Sequence, residues 1–369
     1  MVRLTKENLK SEKSKVGISI GGVVLSVFLI LTMMGLYYGF DTMMDGMVRG
    51  IGADLWVTSE GASGSLHSPS LLPLTLEENI TGIEGVEECV PFIRTPVSTE
   101  SDEGKLLLYI NSYENESGMG GPWSIIEGRS EVTDGEIIVD KALAFKLGLR
   151  IGGNFTIEDR DFRVVGISDE TNMMIAYFVF ITFEDAKSFL LEGVTNYFLV
   201  KVESNSDLDT VMAAIENALS DISVSTPGET AESYKNEILG GFVPIFYVLS
   251  MIGLLVGIQV IGVMVYSLTM EKAREFGILK ALGASNLYLY RVVVIQALAV
   301  SLLGFVIGSL IVPPLISFLQ VYVPEFVVEI TLDMVIGVSA LGIVTGLIAS
   351  VVPVRKLAGL DPALVFKEA

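Results

Sequence analysis

Apolar positions follow two regimes along this chain. Four stretches, Val16–Phe40, Gly241–Met270, Val292–Val323 and Met334–Val354, are almost continuously apolar and contain no Asp, Glu, Lys, Arg or His. A helix needs roughly 20 apolar residues to cross a hydrocarbon core, so the pattern predicts four transmembrane helices over these residues. The first run is too long for the apolar region of a signal peptide and has no small-residue cleavage site after it, so it is expected to be retained.

The second regime is Asp41–Gly240, which has no apolar run of spanning length. Short strand-like segments are predicted at 54–59, 105–110, 136–139, 162–167 and 197–202, with helices at 76–83, 141–149, 183–191 and 207–219. This alternation favours an α+β domain of two lobes, dividing near Val132, inserted between the first and second membrane helices. The remaining pieces are short. Met1–Lys15 is an amphipathic tail, 271–291 a charged helix and loop, 324–333 a short loop after a third span whose outer end Pro313 and Pro314 mark, and 355–369 a second tail.

Composition agrees with a membrane protein, since 51% of the 369 residues are hydrophobic and only 18% charged. Charge then sets orientation. Basic residues gather in the N-terminal tail (Arg3, Lys6, Lys10, Lys13, Lys15), in 271–291 (Lys272, Arg274, Lys280, Arg291) and in the C-terminal tail (Arg355, Lys356, Lys367). The positive-inside rule places these three on the cytoplasmic face of a plasma or inner membrane, with both termini inside. Asp41–Gly240 holds 35 of the 44 acidic residues against 12 basic ones, a local net charge of −23, and the short loop adds Glu325, Glu329 and Asp333 with no base. These are expected outside, and so acidic a surface disfavours nucleic acid.

The usual catalytic chemistry is missing. With one cysteine, Cys89, and one histidine, His67, the chain can form neither a disulfide framework nor a Cys/His zinc site, and His67 reads as solvated in the flexible Ser/Gly-rich stretch 61–70. The Gly104–Lys105 pair is followed by Leu106 rather than Ser or Thr, so there is no P-loop. Ion-coupled carriers need ionisable groups within the bilayer, and these spans have none. Any work done on a substrate must draw its energy from a partner.

Three sets of residues are candidates for function. The segment Glu271–Ser285 combines Glu271, Lys272, Arg274, Glu275 and Lys280 with Phe276, Ile278, Leu279 and Leu282 on a short helix, ending at Gly283 and Ala284 where the chain can turn. Arg274, Glu275 and Lys280 are expected on one side and Phe276, Leu279 and Leu282 on the other, so that an apolar ridge enters a partner groove and ion pairs at the rim set its register. Glycine pairs spaced by four, Gly17/Gly21, Gly35/Gly39, Gly253/Gly257, Gly304/Gly308 and Gly342/Gly346, would let helices approach closely. Met33, Met34, Met43, Met44 and Met47 with Tyr37 and Tyr38 could line a site for a lipophilic or haem-like cargo.

Glu271-Lys-Ala-Arg-Glu-Phe-Gly-Ile-Leu-Lys-Ala-Leu-Gly-Ala-Ser285 resembles the cytoplasmic coupling segment of FtsX/MacB-type ABC transporter permeases, and Leu360–Phe366 is similar to the element that ends those chains. Gly52–Val57, 136–156 and 162–167 are similar to their extracytoplasmic domain, in particular that of the DevC/HrtB-like branch. The resemblance implies a permease subunit, itself without catalysis, working as two permease copies with two copies of a separate ATPase that binds ATP and Mg²⁺. It further implies a coupling role for Glu271, Arg274, Glu275, Phe276, Gly277, Leu279, Lys280, Leu282, Gly283 and Ala284. The task expected is export or extraction of a lipophilic substrate from the membrane lipid, with an extracytoplasmic accessory protein as a further partner. A signalling relay to an outer partner such as a cell-wall hydrolase, and a scaffold without ATPase, remain alternatives.

Overall fold

The computed structural model describes residues 13–62, 70–101, 104–173 and 176–358. His67, Leu360–Phe366 and all but the end of the N-terminal tail lie outside them.

Among the described residues the first element is helix α1 (Lys13–Arg49). A first set of strands and helices follows: β1 (Leu55–Ser59), α2 (Leu76–Thr81) and β2 (Val86–Phe92). Next come β3 (Arg94–Ser101), β4 (Gly104–Tyr113), β5 (Ile125–Gly128), β6 (Glu136–Asp140), α3 (Lys141–Leu147), β7 (Arg160–Ser168) and β8 (Ala176–Thr182). The first pattern then resumes with β9 (Tyr197–Val202), α4 (Leu208–Ala218) and β10 (Ile222–Ser225). Four helices follow among the described residues: α5 (Pro227–Glu271), α6 (Ala273–Ala281), α7 (Asn286–Tyr322) and α8 (Leu332–Ala358).

Two compact units result, one of residues 1–38, 243–319 and 328–369, the other of 39–242 and 320–327. Among the described residues, four helical segments are long and apolar enough to cross a membrane, at Ser14–Arg49, Gly240–Glu271, Asn286–Tyr322 and Leu332–Leu357. The large α+β domain lies in sequence between the first and second.

That domain differs from two lobes meeting near Val132. Its first sheet has the antiparallel order β10-β1-β9-β2, with α2 and α4 supplying Ile80, Val211 and Ile215 to the core on one side. A βαβ-βαβ chain path with that strand order is the split-βαβ, ferredoxin-like arrangement. The second lobe, from Arg94 to Thr182, is inserted into it between β2 and β9, and Val132 lies in the middle of the insertion. Its sheet runs β3-β4-β8-β6-β7-β5, with β4/β8 and β6/β7 parallel. A single division was expected because chain order was taken for spatial order; β9 returns to pair with β1 through Leu55↔Val200 and Trp56↔Leu199.

Two helices start or stop elsewhere than the apolar runs do. α1 continues nine residues past Phe40, since Asp41, Asp45 and Arg49 end an apolar run without ending a helix, and Arg49 pairs with Asp45 one turn back at 2.8 Å. α5 begins at Pro227, well before Gly241. Thr226 Oγ1 accepts from the Glu229 amide at 3.3 Å, and the Glu229 carboxylate accepts from the Thr226 amide at 2.8 Å. This is a capping box with Pro at the first helical position. α7 runs through Pro313 and Pro314 to Tyr322, so the prolines sit inside the third helix and do not mark its end.

Candidate functional site

α5 ends at Glu271, whose carboxylate takes the Lys15 ammonium and the Ser267 hydroxyl, the latter at 3.2 Å. After a break at Lys272, α6 runs nine residues and closes on a Schellman turn: the Ala284 amide donates to Leu279 O at 2.9 Å and the Gly283 amide to Lys280 O at 3.1 Å. Gly283 has φ +93°, a conformation in which a side chain is strained, so this reversal depends on glycine. Ser285 then caps α7, its hydroxyl accepting from the Tyr288 amide at 3.3 Å.

The face of α6 differs from expectation. Phe276 is 3% exposed and Gly277 is buried, while Leu279 and Lys280 are half-buried. The exposed residues include Arg274, Glu275, Ile278, Ala281 and Leu282, the last at 80%. Helical phase explains this. Arg274, Ile278 and Leu282 are spaced by four and share a face, whereas Phe276 lies about 200° around from Arg274. Phe276 is therefore an anchor within its own unit, and the free ridge is Ile278 and Leu282; Leu287, in the first turn of α7, is also exposed, at 58%. Sequence alone does not show Ile278 as a ridge residue, the exposure of Leu287, or the Lys15–Glu271 tie. The spacing Arg274-Ile278-Leu282 carried the signal.

The glycines divide as well. A methyl group at Gly304 would fall 2.6 Å from Val23 Cβ, one at Gly308 2.8 Å from Val27 Cβ, and one at Gly342 3.1 Å from Phe305. Gly346 approaches Leu298, Gly253 Leu29, Gly257 Ser26, Gly35 Val328 and Gly39 the Val327 carbonyl, each within 3.2 Å by the same measure. Gly17 and Gly21 meet nothing within 4 Å among the described residues, whereas their neighbour Gly22, outside the four-residue spacing, faces Val260 at 2.8 Å.

The proposed cargo set comes apart. Met34 and Tyr38 line a cleft of about 510 Å³ with Thr331, Asp333, Val338 and Leu341. Met33 and Tyr37 are half-buried, the Tyr37 ring standing edge-on to Tyr38 at 5.6 Å. Met43, Met44 and Met47 are buried in one core with Trp56, Phe92 and Phe178, so they are packing residues. Their misplacement follows from ending α1 at Phe40.

That same core holds an unanticipated group. The Arg94 side chain is 4% exposed, donating from Nε to Asn111 Oδ1 at 2.7 Å and from Nη2 to the Met47 carbonyl at 3.3 Å. Its guanidinium lies 5.2–5.7 Å from the rings of Phe92, Phe178 and Trp56. Burial pushes its pKa below the usual arginine range. It ties α1 to both sheets of the domain.

Two family models match: a MacB-like periplasmic core domain over residues 16–218 and an FtsX-like permease C-terminal domain over 247–362. The chain belongs to the FtsX/MacB-type ABC transporter permeases. The permease is 26% identical over 348 residues to an uncharacterised ABC transporter permease of Mycobacterium bovis, covering 94% of this chain and 93% of that one. It is 24% identical over 209 residues to the HrtB protein of Staphylococcus epidermidis, named for hemin transport, covering 56% and 55% of the two chains. Over 112 residues it is 38% identical to PvdT of Pseudomonas syringae, a pyoverdine export ATP-binding/permease protein, covering 30% and 17%. Family and spans together make it an integral membrane protein, and the family works with an ABC ATPase.

Proposed function

We propose that the permease receives force from nucleotide hydrolysis through the exposed edge of α6 and uses it to export or extract a lipophilic substrate. In this reading two copies assemble with two copies of a separate ATPase, which holds ATP and Mg²⁺, and the permease itself catalyses nothing. Both termini and α6 face the cytoplasm, and the α+β domain lies outside, where an accessory protein can dock.

The observation that carries the reading is the Ile278–Leu282 ridge of α6, apolar and exposed on a helix that also exposes Arg274 and Glu275. A projecting apolar side chain flanked by charges suits insertion into a partner groove, with the charges setting approach and register. Spans without ionisable residues support an external energy source, a relative named for pyoverdine export supports export as the task, and one named for hemin transport supports an amphipathic or lipophilic cargo.

Co-purification tests it. Ile278→Asp and Leu282→Asp should release the ATPase while the permease stays monodisperse and thermally stable. ATPase retained by both variants would contradict the reading. Phe276→Asp, by contrast, should lower the stability of the permease itself.

A further inference from the structure

The cleft at Met34 and Tyr38 has polar and apolar ends. On α8, Asp333, Gly337 and Leu341 are spaced by four and follow Thr331, so one stripe of that helix runs from polar to apolar. On α1, Tyr38 and Met34 are one turn apart in the same sense. Tyr38, Thr331 and Asp333 make the polar end, and Met34, Val338 and Leu341 the apolar one. A Cβ at Gly337 would meet nothing within 4 Å among the described residues, so that glycine keeps the middle open. The volume, about 510 Å³, suits a single small ligand.

Charge narrows the occupant. No basic residue lines the cleft, and Asp333 makes no ion pair or hydrogen bond among the described residues. Its place in the first turn of α8 suits the helix dipole but leaves the carboxylate without a counter-ion. We propose that this cleft binds a cationic amphiphile, its charged head at Asp333 and the Tyr38 ring and its alkyl tail along Met34, Val338 and Leu341. A cation gains both from the carboxylate and from the aromatic face, while an anion of equal chain length is repelled. The site deepens the export reading by naming a substrate class, yet binding itself needs no nucleotide.

The full chain in nanodiscs of zwitterionic lipid, without ATP, is labelled with a photoreactive alkyltrimethylammonium probe and mapped by mass spectrometry. Label is expected on peptides containing Tyr38 and Val338–Leu341, displaced by decyltrimethylammonium about tenfold more effectively than by decanoate. Asp333→Asn should remove most of that preference while leaving displacement by decanol unchanged, and Gly337→Leu should abolish labelling by filling the cleft. Should Gly337→Leu not fold, the Asp333→Asn comparison decides alone. Label elsewhere on the chain, or equal displacement by cation and carboxylate, would overturn the proposal. Because nucleotide is absent, loss of ATPase coupling and loss of ligand binding remain distinguishable outcomes.

Discussion

Helix α1 packs by different rules at its two ends. In its first half, Gly22 faces Val260, while Val23 and Val27 fit against Gly304 and Gly308; in its last turns, Met43, Met44 and Met47 are buried in a core of large aromatic side chains. The difference follows from the solvent. Lipid chains are as apolar as leucine, so helices there associate through close backbone approach, and side chains such as Ile18, Leu25, Leu255, Leu310 and Ile336 stay on the outside. In water, area removed from solvent is the main gain, and a buried Met side chain contributes about 1.5–3 kcal/mol. One helix thus serves two solvents by changing residue size along its length.

Substitutions can break either half of that comparison. The largest effect is expected at Arg94, because Arg94→Ala leaves Asn111 Oδ1 and the Met47 carbonyl without their donor inside a packed core. A loss of about 3 kcal/mol is predicted, read as a lower thermal midpoint of the extramembrane domain's unfolding. In the membrane half, Gly308→Leu should cost about 1–3 kcal/mol by forcing α1 and α7 apart at Val27, while Gly21→Leu, where nothing lies within 4 Å, should stay within about 0.5 kcal/mol. Equal effects at the two glycines would show that helix proximity does not govern this half.

A smaller effect is expected at the start of α5. Thr226→Ala removes one side of the capping box and should cost about 1 kcal/mol near neutral pH. Hydrogen bonds from the Thr226 amide and hydroxyl hold the Glu229 carboxyl below its ordinary pKa. An acid depressed in the folded state stabilises above its unfolded pKa and loses that contribution as pH falls through the depressed value. The gap in thermal midpoint between wild type and Thr226→Ala should therefore narrow as pH drops below the ordinary glutamate range, because the hydroxyl's bond to the carboxylate is lost to protonation. It should not close, since the cap bond from the Glu229 amide to the Thr226 hydroxyl does not titrate, and the Thr226 amide's own bond is common to both proteins.

The membrane spans were legible because a long apolar run has few alternative readings, and α3 and α4 because their apolar spacing and the Asp140 and Asp207 caps act locally. Sheet order was not legible. Nothing near Tyr197 indicates that its strand reaches back past the whole inserted lobe to pair beside β1, Leu55 opposite Val200. Helix ends were misread where apolar content stood in for helix propensity: Asp41 and Asp45 stop the one and not the other, and the Thr226–Glu229 box opens α5 before any apolar run begins. At α6 the segment was recognisable but its phase was not, since apolar residues lie on both faces and only packing decides that Phe276 turns inward and Leu282 outward. Arg94 was invisible because a charge without a carboxylate partner in sequence reads as surface.

The most direct test of force entry at α6 is site-specific crosslinking to the ATPase. The background is clean, since Cys89, the sole cysteine, is buried and its thiol pKa is pushed up to about 12 by burial. Leu282→Cys and Ile278→Cys should each crosslink to the co-expressed ATPase in native membranes, with a yield that changes when ATP is trapped, while Phe276→Cys should not. Crosslinking from Phe276→Cys with none from Leu282→Cys, or none from any of the three in an assembly that hydrolyses ATP, would contradict the account.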